Sequence, residues 1–440
     1  MDRRTALGWM GTAAALGLAG TRSGALGRLL HAQAAPDWAA RAAALPQPAA
    51  GELVIAAVGD MMISDPVSNR GLPEAQALYQ VLRDADVAFG NCEQAIATQG
   101  VLKGGFPQTA DPEMLDDFKA SGFDMLSIAN NHSFDLGQAG LLSLIEEATR
   151  RGFTLAGAGR TLDEATAAGV MTAKGQRVGL LAFLCAPEDF QRADDMAEFR
   201  AQADKSGIGL ITGERVSVPG SEIPLLLPKA SDMRIMTEAV QRARADVDVL
   251  LVSFHQHWNL DAPPGAGRGG RGAAPPPRTL VPARLDSASN QVAEGRKLIC
   301  RTAIDAGADV VIGHGPHVLN GVELYRGKPI LYSLGHFYMQ LLRDGVALPR
   351  MRMSPSLARF AENGYYLEEH RWTAVARVFV RAGAVTRVQL LPVFMDVQRD
   401  GYPAFPADAD ARTINAALST LSQPFQTTLR TVDWYTEVVL

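Results

Sequence analysis

Apolar residues along this chain fall in short, nearly continuous runs: LVIAAVGD (53–60), ADVAFGNCE (85–93), FDMLSIANNH (123–132), RVGLLAFLC (177–185), DVLLVSFHQH (248–257) and ADVVIGHGPH (308–317). Runs rich in Val, Ile and Leu predict strands covered on both faces, with helices between them such as 137–151 and 291–306. Two later stretches, VELYRGKPILYSLGHF and AVARVFVRAGAVTRVQLLPV, read as hairpins turning at Gly327 and Gly383. The pattern implies a layered α/β domain with a mixed sheet to which antiparallel strands are added late.

What ends each run is polar and chemically selective. Asp60 closes the first and Glu93 the second, Asn131 and His132 the third, His255 and His257 the fifth, His314 and His317 the sixth. Of eight histidines, only His31 and His370 fall away from such ends, since His336 also follows an apolar run. In open α/β folds ligands bind beyond the carboxyl ends of the strands, so these side chains can converge although they are distant in sequence. Imidazoles, carboxylates and an amide oxygen together suit a divalent first-row metal such as Mn, Fe or Zn, one ion or two. Taken singly, each has a plainer reading as a helix cap, a turn residue or a hydrogen-bonded core histidine; it is the repetition over successive runs that favours a site.

The first 34 residues, with Arg3 and Arg4 ahead of a mildly apolar Ala/Gly-rich stretch and a small-x-small site at Ala32 and Ala34, read as a twin-arginine signal peptide. A periplasmic or secreted protein is therefore expected. Its removal takes four arginines and one aspartate from 42 basic and 47 acidic residues, leaving 38 and 46 and a formal charge of −8. That balance argues against general nucleic-acid binding, and no remaining stretch is apolar enough for a membrane span. Residues 35–50 form a Pro/Ala-rich linker, 51–400 the main domain, and 401–440 a C-terminal extension. Cys92, Cys185 and Cys300 are odd in number and far apart, and read as buried small apolar residues. The Gly/Pro-rich segment 261–286 reads as a long loop, either a solvated insertion or a clamp for an anionic substrate through arginines such as Arg268 and Arg271.

VGDMMI, FGNCEQAI, LSIANNHSFDLGQAGL, VSFHQHW and DAGADVVIGHGPHVLNGVELYRGKPILYSLGHF, in that order from about residue 52 to 338, resemble the successive motifs of the CapA family of bacterial poly-γ-glutamate capsule synthesis. That family in turn resembles the calcineurin-like metallophosphoesterases. The resemblance implies a four-layered αββα metallophosphatase-like sandwich with mixed sheets. It implies Asp60 and His317 as ligands of a first metal and Glu93 as a bridging carboxylate. Asn131, His314 and one of His255 or His257 would hold a second. His132 would be the acid that protonates a leaving group or would steady the developing charge, and a metal-activated water would be the nucleophile. Asn91, His336, Arg268 and Arg271 are expected to contact the substrate or the ligands.

The departures from the pattern are specific. The Asp-x-His of phosphoesterases ends here in Met62, Glu93 stands where Asp is commoner, one histidine is doubled to His255 and His257, and the family's LGN is LGH at His336. The implied activity is a metal-dependent hydrolase or transferase acting on a γ-linked polymer or a related small acidic compound. The alternatives are a phosphoesterase on phosphate esters or nucleotides and a non-catalytic polymer-binding or export accessory.

Overall fold

The computed structural model describes residues 36–68, 71–103, 107–188, 193–220, 224–257, 285–286, 290–340, 368–395 and 401–440. Residues Trp38–Leu440 form one compact unit. The expected signal segment 1–34 and Arg268 and Arg271 lie outside the described residues, as does the expected 261–286 loop except for 285–286.

Two large mixed sheets make up the unit. The ten-stranded sheet runs in the order Leu429–Val432, Tyr435–Val438, Ala384–Met395, Trp372–Arg381, Leu53–Met62, Val87–Cys92, Met125–Ser127, Thr154–Ala156. The short strand His336–Met339 lies parallel against Leu53–Met62. The eight-stranded sheet runs Leu225–Pro228, Leu210–Val216, Gln176–Pro187, Val249–Gln256, Val310–His314, Lys328–Leu331, Val322–Tyr325, with Gly169–Ala173 on Gln176–Pro187. Both expected hairpins form. Arg326 and Gly327 (φ 54° and 75°), like Ala382 and Gly383 (φ 51° and 76°), put two successive positive φ angles in the tight turn, as a right-twisted hairpin favours.

Period-two alternation sorts the strand residues into separate cores. Leu53, Ile55, Val87 and Phe89 from the larger sheet share one core with Leu180, Leu184, Leu251 and Ile312 from the smaller, so the two sheets face each other. Ala56, Val58 and Ala88 point the opposite way, onto helices Pro73–Arg83 and Glu113–Ser121 through Leu78, Leu82, Leu115 and Phe118. Leu181, Phe183, Leu250 and Val252 pack on helices Ala230–Asp246 and Glu294–Ala306 through Met236, Val240, Ile299 and Ala303. Strands covered on both faces are thus what the unalternating apolar runs report.

Three elements differ from the sequence expectation. The run 123–132 is a strand only over Met125–Ser127; Asn130 and His132 follow in a turn, held by Asn130 and Ser133 side chains that take up the local backbone bonds. Within the Pro/Ala-rich stretch, Trp38–Ala43 is helical and Trp38 stacks on Phe405 at 5.0 Å. Residues 401–440 carry a helix, Asp408–Ser422, whose Ile414, Leu418 and Leu421 enter the core between the sheets, and a hairpin that pairs with Ala384–Met395. The cysteines are buried and free; burial pushes the Cys92 and Cys300 thiols up to about 12.

Candidate metal centre

The strand carrying Asp60 gives the first reason for a site. Leu53, Ile55 and Ala57 face the space between the sheets, so strict alternation would send position 60 outward with Ala56 and Val58. The pairing with Val87–Cys92 instead shifts register between Ala57 and Asp60, a bulge that turns Asp60 inward and returns Met61 to the outer core. Gly59 makes this geometry available: a Cβ there would lie 1.9 Å from the Gly335 carbonyl oxygen, which accepts a hydrogen bond from the Asp60 N–H at 3.0 Å. No bulge is needed on the smaller sheet. Ser253 and His255 share the inner face with Leu251, and His314 shares it with Val310 and Ile312.

Around the fully buried Asp60 and Glu93, the side chains form three overlapping groups: Glu93, His255 and His257; Asp60, His317 and His336; and, joining these, Asp60, His255 and His314. In the first, Asn131 Oδ1 lies 2.8 Å from His255 Nε2 and 2.9 Å from His257 Nε2, and Glu93 Oε1 lies 3.3 Å from His255 Nε2. In the second, His317 Nδ1 is 3.1 Å from Asp60 Oδ2, and its ring stacks on His336 with centroids 4.3 Å apart. His317 adopts φ 62°, a left-handed conformation uncommon for a residue with a side chain, and here it turns the imidazole back toward Asp60 and Glu93. His314 sits between the groups, with Nδ1 3.2 Å from Asp60 Oδ1 and 2.9 Å from His255 Nδ1, while its Nε2 is anchored 2.7 Å from Ser253 Oγ.

Electrostatics follow from burial among imidazoles. Burial opposes ionisation of Asp60, but contacts with His255, His314 and His317 outweigh it and hold the carboxyl well below its usual range. Glu93 goes the other way: burial and the Asp60 charge push it well above the usual carboxylate range. Burial also lowers His314, to about 4, and His257 and His336 well below an ordinary imidazole. These histidines are therefore neutral and able to coordinate. For His317 and His132 burial is outweighed by the carboxylates beside them, Glu93 and Asp60 for the former and chiefly Asp135 for the latter.

The donor set fits a divalent cation. Both carboxylate oxygens of Glu93 are buried without a hydrogen-bond partner, as is Nδ1 of His336. Orphaned buried acceptors are rare because each costs about 1–3 kcal/mol, and an ion among them removes that cost. Nitrogen and oxygen donors without thiolates suit Mn, Fe or Zn.

The remaining sequence candidates surround these groups. Asn91 donates from Nδ2 to Asp60 Oδ1 at 2.9 Å, and its own Oδ1 accepts from Asn130 Nδ2 at 3.3 Å. His132 does not join a donor group; its Nδ1 is 2.6 Å from Asp135 Oδ2, which also accepts from the Gln108 N–H. Four contributors went unrecognised in the sequence. Ser253 braces His314, Asn130 braces Asn91 beside Asp60, Asp135 orients His132, and His370 lies near enough to His317 and His336 for a charge on one to oppose a charge on another. Ser253, two residues before His255 on a strand, carried a usable signal in its parity; His370 carried none.

Residues 54–268 and 286–341 match the family model described as bacterial capsule synthesis protein PGA_cap. The chain is 31% identical over 309 residues to an uncharacterized protein, y4sH, of Sinorhizobium fredii, covering 66% of this chain and 67% of that one. It is 25% identical over 289 residues to the PGA biosynthesis protein CapA of Bacillus subtilis, covering 64% of this chain and 61% of the relative. A probable polyglutamine synthesis accessory protein of Mycobacterium tuberculosis is 26% identical over 254 residues, 57% of this chain and 54% of its own length. With its motifs, their order and most of the central domain matched, the chain belongs to the bacterial capsule synthesis protein family that includes CapA.

Proposed function

We propose that this protein is a metal-dependent hydrolase or transferase of the CapA type, acting on a poly-γ-glutamate-like polymer or a related small acidic compound. The reading rests above all on one observation: Glu93, Asn131, His255 and His257 point their donor atoms at one another in the interior, with the Glu93 oxygens left without hydrogen bonds. Glu93, Asn131, His255 and His257 would hold one ion, with Asp60, His314 and His317 beside them. A bound ion would acidify a coordinated water and polarise the bond under attack. His132, oriented by Asp135 through Nδ1, leaves Nε2 to carry a proton to the leaving group. The two facing sheets with helices on their outer faces support a four-layered αββα sandwich of the metallophosphatase kind. Residues 1–34 support export by the twin-arginine route to the periplasm or beyond, and no helix among the described residues is long and apolar enough to cross a membrane.

The test is metal content per chain, together with cleavage of a γ-linked glutamate polymer, for the parent and the Glu93→Ala and His314→Ala variants. The reading expects one or two equivalents of Mn, Fe or Zn in the parent and loss of metal and cleavage in both variants. A folded parent that binds none of these ions would overturn it. A second reading, a non-catalytic accessory that binds polymer, is favoured by the word accessory in the name of the mycobacterial relative. It expects polymer binding without cleavage in the metal-loaded protein.

A further inference from the structure

Set against the patterns that the resemblance implies, His336 takes the place of an Asn and Met62 that of a ligating imidazole. A thioether is a poor ligand for a hard divalent ion, so Met62 leaves the Asp60 side one nitrogen short. The strand His336–Met339 runs parallel to Leu53–Met62 and pairs His336 directly with Asp60. Residues paired across neighbouring strands project from the same face of the sheet, about 5 Å apart. The side chains meet accordingly: one ring nitrogen of His336, one of His317 and an Asp60 oxygen all lie within 4.8 Å of one another. His336 is 1% exposed, and its Nδ1 is buried without a hydrogen-bond partner. The near-parallel stack on His317, 10° between ring planes, fixes the ring, and the Asp60 N–H bond to the Gly335 carbonyl fixes the backbone before it.

We infer that His336 replaces the imidazole missing at Met62, so that Asp60, His317 and His336 form a second ion site beside the one at Glu93, Asn131, His255 and His257. This rests on the metal-centre reading above and deepens it. Two imidazoles and one carboxylate favour Mn, Fe or Zn over Mg, which prefers oxygen donors and retains its waters. The site reaches the ligand count of a two-ion centre by a different route, from the neighbouring strand instead of the strand that carries Asp60.

The experiment uses the full chain, stripped with chelator and reloaded with Zn²⁺ or Mn²⁺. Bound metal is counted by elemental analysis after desalting, and affinities are measured by calorimetry. The parent is expected to bind two ions. His336→Asn and His336→Gln are expected to keep one ion at parental affinity and to weaken the other at least ~10-fold, as loss of a metal contact does. Asn131→Ala should weaken the opposite ion. Side-chain nitrogen NMR of the unsubstituted, histidine-labelled protein gives a readout independent of whether the variants fold, with the His336 ring signal shifting on occupancy of the second site. Two ions with unchanged affinities in both His336 variants, or a His336 signal unmoved in the doubly loaded parent, would overturn the inference while leaving the metal centre standing. A parent that binds no ion would remove the reading beneath it.

Discussion

Glu93→Gln separates the cost of the site from its use. In the metal-free protein the Glu93 side chain is fully buried, both its oxygens lack hydrogen bonds, and the nearest donors, His255 Nε2 at 3.3 Å and His317 Nε2 at 3.6 Å, are too distant to satisfy it well. Gln has the same shape and cannot ionise. Burial and the Asp60 charge already oppose ionisation of Glu93, so removing this poorly satisfied carboxyl should stabilise the metal-free protein by about 1–3 kcal/mol. An ion that binds only the folded parent stabilises it by about 2.7 kcal/mol at a hundredfold excess over its Kd, and the variant should lose most of this. The stability order therefore reverses on adding metal. Urea unfolding of both proteins, with chelator and with Mn²⁺ or Zn²⁺, measures it. A variant less stable than the parent without metal, or equally stabilised by metal, would refute the account of Glu93 as a carboxylate held for an ion.

On the proposed function, His132→Gln should lower the hydrolysis rate by about 10²–10⁴ with bound metal unchanged, because the proposed proton donor is lost and no donor atom of either proposed ion site is touched; equal rates would exclude His132 as the acid. Gly59→Ala places a methyl group on the Gly335 carbonyl, so it should separate the Asp60 and His336 strands and weaken metal binding more than a substitution at a distant surface glycine such as Gly220 does, as calorimetry would show. Leu251→Ala opens a cavity between the two sheets and should cost about 2–5 kcal/mol in urea unfolding. Asp232 accepts from both Arg200 terminal nitrogens and from the Thr212 N–H and hydroxyl; although burial opposes this, the contacts hold its folded pKa below 3.8. Its stabilising contribution is thus present above the unfolded value and is lost as pH falls through the folded one. Asp232→Asn should cost about 2–3 kcal/mol at pH 7 and progressively less in acid, and a pH-independent difference would count against the ion pair.

Much of the candidate centre was legible in the sequence. Asp60, Glu93, Asn131, His255, His257, His314 and His317 could be picked out because the physics of buried strands makes their apolar runs conspicuous and confines polar residues to their ends. The hairpins at Gly327 and Gly383 were equally local, since tight turns with two positive φ angles are chosen by a few neighbouring residues. The integration of residues 401–440 was not legible, because a strand's partner is chosen by long-range pairing and leaves little trace in its own sequence.

The sequence by itself therefore determined which polar residues end the buried strands and could serve as donors, and which strands carry them. Tertiary structure alone decided how they divide. The bulge after Ala57 turned Asp60 inward against the parity of its strand, the pairing with His336–Met339 set an imidazole beside it, and His370 entered the neighbourhood of His317 and His336. Each depends on register between strands that meet only after folding, and a shift of one residue would have sent the same side chain to the other face of the sheet.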